Sequence, residues 1–70
     1  MSQWPSSKAR RVLRALLRIG WRIHDQCGSH KTLRRDGWPE HVFAYHDGHE
    51  LGPRILAVIA KRTGLKPEDL

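Results

Sequence analysis

The chain has 70 residues, with 13 Lys and Arg against 7 Asp and Glu, a net charge of +6. At this length, with 39% hydrophobic residues, it can fill one small core, so residues 1–70 are expected to form a single domain. No apolar run approaches the roughly 20 residues of a membrane-spanning helix, and a single cysteine, Cys27, rules out an internal disulfide. The opening MSQWPSSKARR lacks the apolar stretch that a secretory signal needs, and the lone cysteine makes a cytoplasmic location the default expectation. The excess positive charge favours an anionic partner such as nucleic acid, a membrane surface or an acidic protein.

Ser6 and Ser7 after Pro5 offer an N-cap for a first helix. From Lys8 to Ile19, Ala9, Val12, Leu13, Leu16, Leu17 and Ile19 recur at helical spacing, and Gly20 suits the residue that closes the helix. Arg10, Arg11, Arg14 and Arg18 share the other face, which reads equally as a solvated surface or as a contact for phosphates.

The period then changes to two. Trp21 and Ile23 alternate with Arg22 and His24 in a half-buried strand that ends near Gln26, followed by a short turn at Cys27-Gly28-Ser29. A second strand runs from His30 to Arg35 with Leu33 inward. Asp36-Gly37 signals a hairpin, lengthened by Trp38-Pro39. Glu40 to Tyr45 forms a third strand with Phe43 inward, and His46 to Gly52 is loop. Pro53 opens a second helix whose apolar face is Ile55, Leu56, Ile59 and Ala60; Gly64 ends it, and Pro67-Glu68-Asp69 can start one more turn.

This order predicts an α+β domain, α-β-β-β-α, with a three-stranded antiparallel sheet and both helices on one face. The other face is then open and carries Arg22, His24, His30, Thr32 and Arg34.

His30 is the leading candidate for chemistry. A neutral imidazole can exchange a proton near neutral pH, and Lys31, Arg34 and Arg35 would hold phosphate and stabilise charge developing on it. RNA carries its own nucleophile, the 2′-hydroxyl, so an acid–base group with cations can suffice to cleave it. Gly-Ser-His by itself fits an ordinary surface histidine as well. His41, His46 and His49 raise a metal alternative, but one cysteine does not supply the usual structural-zinc spacing, and no metal is expected. His46 reads as a loop residue close enough to the sheet to help hold phosphate. Trp21 reads as core, Trp38 as a loop plug, Trp4 as an N-terminal anchor and Cys27 as a turn residue.

Taken together, RVLRALLRIGWRIHDQCGSHKTL (Arg11 to Leu33) and FAYHDGHELGPRILAVIAKRTGL (Phe43 to Leu65) resemble the two halves of the HicA family of toxins. The resemblance covers nearly the whole chain in the same order. It implies a fold like a double-stranded-RNA-binding domain and a metal-independent endoribonuclease that cleaves mRNA, held in check by a HicB-type antitoxin. It places the catalytic histidine at His30, within the motif formed with Gly28 and Ser29. RNA contacts are then expected from Arg22, Ser29, Lys31, Arg34, Arg35 and His46, with RNA and the antitoxin as partners and neither a membrane nor a small-molecule cofactor involved. One departure is Ala44, where the family commonly has proline; this bears on protection of a strand edge more than on catalysis. A non-catalytic RNA-binding module of the same fold remains the alternative, and a basic face made only to dock an acidic antitoxin is a third reading.

Overall fold

The structure, a computed structural model, describes residues 4–70. The chain runs through β1 (Ser7–Lys8), α1 (Ala9–Arg18), β2 (Arg22–Cys27), β3 (His30–Arg34), β4 (His41–Phe43), β5 (Glu50–Leu51) and α2 (Pro53–Thr63), then a 3₁₀ turn (Pro67–Asp69). The expected α+β architecture is present: an antiparallel sheet in the order β2-β3-β4, with two helices contributing to one core. No helix among the described residues is long and apolar enough to cross a membrane.

Helix α1 buries Ala9, Val12, Ala15 and Leu16, a stripe that returns to the same face about every turn. Its start differs from the expected serine cap. Lys8 holds the N-cap position without a side-chain bond. Instead, the Ala9 N–H donates to the His49 carbonyl (2.8 Å) and the Arg10 N–H to the Asp47 carbonyl (3.2 Å). Ser7 is unavailable because it is buried and paired with Leu51. The first-turn donors left open by any helix are thus satisfied by a loop distant in sequence. This pairing also corrects the expectation of plain loop from His46 to Gly52, since β1 and β5 form a two-residue ladder inside that region.

The helix ends as expected at Gly20. The Trp21 N–H donates to the Leu16 carbonyl (3.1 Å) and the Gly20 N–H to that of Leu17 (3.3 Å), the double bond pattern of a Schellman closure. That closure turns Trp21 directly into the core, where its Nε1–H donates to the Thr63 carbonyl (3.0 Å).

Strand β2 departs from the expected half-buried alternation. All six of its residues are exposed, Ile23 to 42%. It is an edge strand, and its pairing with β3 slips between Ile23 and Asp25, leaving His24 without an opposite residue. Such a bulge shifts which downstream side chains share a face. Ile23 pairs with Leu33, and Leu33 with His41, in a row facing the helices; Asp25, Thr32 and Val42 form the next row on the open face. His24 therefore has no cross-strand partner, and Asp25 and Cys27 take places in the open-face rows.

Phe43 points inward as expected, while β4 is only three residues long rather than six. Pro53 occupies the first turn of α2, and Gly64 ends that helix with φ +78°, placing buried Leu65 against the core. Trp38 is the expected plug: a Cβ at Gly64 would lie 2.8 Å from its ring, and it meets Trp21 edge-on with centroids 6.1 Å apart.

Gly64→Ala should therefore be costlier than a left-handed penalty alone, which is about 1–2 kcal/mol. Gly28→Ala, also at positive φ but with open space around it, should lose only that penalty. Urea unfolding of the two variants checks this; equal losses would mean that Trp38 does not brace the end of α2.

Candidate active site

Gly28 and Ser29 form a two-residue hairpin between β2 and β3, with Gly28 at φ +61° and Ser29 at negative φ. Glycine at the first central position is what a type II′ hairpin requires. His30 follows at once as the first residue of β3, paired across the ladder with Cys27. His30 pairs on that side alone, because the ladder from β3 to β4 begins one residue later, at Lys31. Its side chain is exposed.

Alternation separates His30 from its neighbour. Lys31 pairs with buried Phe43 and so leans to the helix side, whereas His30, Thr32 and Arg34 share the open face. Beside the hairpin lies an open cleft of about 430 Å³ lined by Gly28, Ser29, Lys31, Tyr45, His46 and Asp47. Three of the sequence-derived candidates, Ser29, Lys31 and His46, thus meet in one concavity at the His30 end of the sheet. The loop that supplies His46 is held by a turn in which the His49 N–H donates to the His46 carbonyl (2.9 Å), and by the bonds that cap α1.

The other candidates lie at the far end. Arg34 is four residues along β3 from His30, about 13 Å at strand rise. It bonds Glu40 at 2.8 Å, and Arg22, opposite it, pairs with Asp36 at 3.5 Å. Both pairs are exposed and so weak, leaving these guanidinium groups on the open face able to meet phosphate. Arg35 lies beyond the strand, stacked over Trp38 at 5.3 Å from the ring centroid. It packs at the mouth of the Gly20 turn rather than near His30.

Tyr45 and Asp47 were not singled out from sequence, although both line the cleft. Tyr45 stands edge-on to Phe43 (5.2 Å between centroids) and is tilted against His49 (5.7 Å). The signal available was the compact AYHDGH run, whose alternation with Phe43 hides which residues turn outward.

The family model for the HicA toxin of bacterial toxin-antitoxin systems matches residues 9–65. The chain belongs to the HicA toxin family. That match spans both helices, the three-stranded sheet, the hairpin with His30 and the loop with His46. No curated protein matches the chain.

The five histidines of this HicA-family chain separate by burial. His24, His30, His46 and His49 are exposed, and among the described residues no three His, Cys, Asp or Glu side chains converge as a metal would need. His41 alone is buried, only 8% exposed, edge-on to Trp21 and with its Nε2 lacking a hydrogen-bond partner. Desolvation, and then repulsion from the Arg62 guanidinium, hold its pKa below the ordinary histidine value.

A proton therefore binds the unfolded chain first as the pH falls, so His41 contributes stability above pH ~6.5 that is lost below it. Urea midpoints measured across that range should fall towards acid, and His41→Phe should remove its share of the slope. Parallel profiles for the two proteins would contradict this assignment.

Proposed function

We propose that this chain is the ribonuclease toxin of a toxin–antitoxin pair, cutting mRNA in the cytoplasm without a metal and neutralised by a HicB-type antitoxin. The observation that carries the reading is His30 itself. It stands exposed at the start of the central strand, directly after a glycine hairpin, in a chain of the HicA family.

RNA would lie over the end of the open sheet face, with phosphates held by Lys31, Ser29 and His46 at the cleft. Arg22 and Arg34 would hold the strand further along. Arg35, stacked on Trp38, would act at the margin of that path. His30 would accept the proton of a 2′-hydroxyl as its oxygen attacks the adjacent phosphorus. The new P–O2′ bond forms as the P–O5′ bond breaks, solvent protonates the departing oxygen, and a 2′,3′-cyclic phosphate remains. Lys31, on the helix-side rim of the cleft, is suited to hold a phosphate next to the one under attack. An antitoxin that blocks this site must cover the same cations, so an acidic surface on it would speed and orient docking.

Replacing a positioned acid–base group typically costs 10²–10⁴ in rate. His30→Ala should lose cleavage of RNA by about that factor, along with growth inhibition, while its circular dichroism stays native. EDTA should leave wild-type cleavage intact. A folded His30→Ala protein that cuts at the wild-type rate would overturn the mechanism. Wild-type protein that shifts RNA in a gel without shortening it would favour the non-catalytic RNA-binding module.

A further inference from the structure

Outside the candidate active site, the strongest feature is the outer face of α1. Its sequence, ARRVLRALLR, contains four arginines and no acid. Arg11, Arg14 and Arg18 line a groove of about 550 Å³ with Arg10, Lys8, Glu50, Ser6, Ser7 and Leu70. Among the described residues no carboxylate pairs with any of these cations: the only ion pairs are Arg22–Asp36 and Arg34–Glu40. Arg18 and Lys8 instead donate to the backbone carbonyls of Asp69 (2.5 Å) and Gly48 (3.2 Å).

An arrangement like this works against the helix that bears it. Arg10–Arg14, Arg11–Arg14 and Arg14–Arg18 are like-charged neighbours at three- and four-residue spacing, and each such pair destabilises a helix. Arg10 and Arg11 also sit in the first turn, where the backbone dipole disfavours cations, and no acid is present there to offset them. A face that needed only to be soluble would be better served by mixed charge. At Arg10, Arg11 and Arg14 these rules are broken with no carboxylate to offset them, which marks a surface kept for something else.

We infer that the Arg11–Arg14–Arg18 stripe is a second RNA-binding tract, which grips phosphates on the helix side of the domain while the open sheet face carries the chemistry. The Cα atoms of the three arginines are spaced about 4.5 and 6 Å apart along the helix axis, from its 1.5 Å rise per residue. That axial run suits several consecutive phosphates of one strand. The stripe lies opposite the buried face of α1, so it points away from the sheet whose other side carries His30. The molecule extends only 33 × 26 × 17 Å, so a long RNA can pass around an edge and touch both surfaces, whereas a short one engages a single surface. The tract would therefore set affinity for long transcripts without taking part in bond cleavage. The inference takes its ligand from the ribonuclease reading.

The test uses full-length protein carrying His30→Ala, so that RNA stays intact and binding is read apart from cleavage. Affinity for a long single-stranded RNA is measured against salt, with and without Arg11→Gln/Arg14→Gln/Arg18→Gln. Removing like charges should leave the helix at least as stable, which thermal unfolding verifies. The expected result is a salt slope smaller by about two, from three lost phosphate contacts on a single strand. A control with the same charge loss on the second helix and its exit, Arg54→Gln/Lys61→Gln/Lys66→Gln, should change the slope less. In the His30-intact background, the α1 triple variant should cut a short oligonucleotide at the wild-type rate. An unchanged slope, or an equal drop in the control, would overturn the inference. So would a stripe that binds polyglutamate while contributing nothing to RNA binding. Loss of cleavage activity in the parent protein would count against the ribonuclease reading alone.

Discussion

The pairing of β3 on both of its edges is the constraint on which the rest of the site depends. Side chains alternate along a strand, so a slip of one residue would move the whole hydrophobic set to the wrong face. Leu33 is completely buried and locked between Ile23 and His41. His30 lies three positions away, an odd number, and is thereby fixed on the open face. The core and the candidate chemistry are thus two consequences of one register. Lys31 and Phe43, a pair facing the helices, carry the same logic to the cleft: burying Phe43 brings Lys31 to the helix-side rim.

A second constraint ties the loop to the first helix. The carbonyls of Asp47 and His49 take up the first N–H donors of α1, a task usually left to a capping side chain. The same bonds hold the segment carrying His46 beside the Gly28-Ser29 hairpin. Helix capping and the placing of this loop therefore share one set of hydrogen bonds.

Much of this was legible in the sequence wherever a residue's own covalent nature decides the outcome. Gly20, Gly64 and Pro53 mark helix boundaries because of backbone freedom or its absence, and Phe43 and Trp21 go inward because their area dominates. The two-residue turn before His30 was visible for the same reason. What escaped depends on partners remote in the chain. The β1–β5 ladder needs Ser7 to meet Leu51, and no local pattern announces it. The bulge at His24 arises from how β2 fits β3, so simple alternation did not show that Asp25 and Cys27 lie on the open face. Arg35 looked like a phosphate ligand because it follows Arg34, yet the strand has ended and Trp38 offers it a ring. His41 shares the inward face with Phe43 by strand alternation, with Val42 between them pointing outward and 53% exposed, but its polar ring masked that signal.

In this account the protein supplies proton transfer and positive charge, and RNA supplies the attacking oxygen. The most direct test is cleavage of an RNA in which one normally cut position has a 2′-deoxyribose. The account predicts that cutting stops at that linkage and continues at the unmodified ones, which end in 2′,3′-cyclic phosphate or its hydrolysis product. Cutting at an unchanged rate beside the deoxyribose would show that the nucleophile comes from elsewhere, and would contradict it.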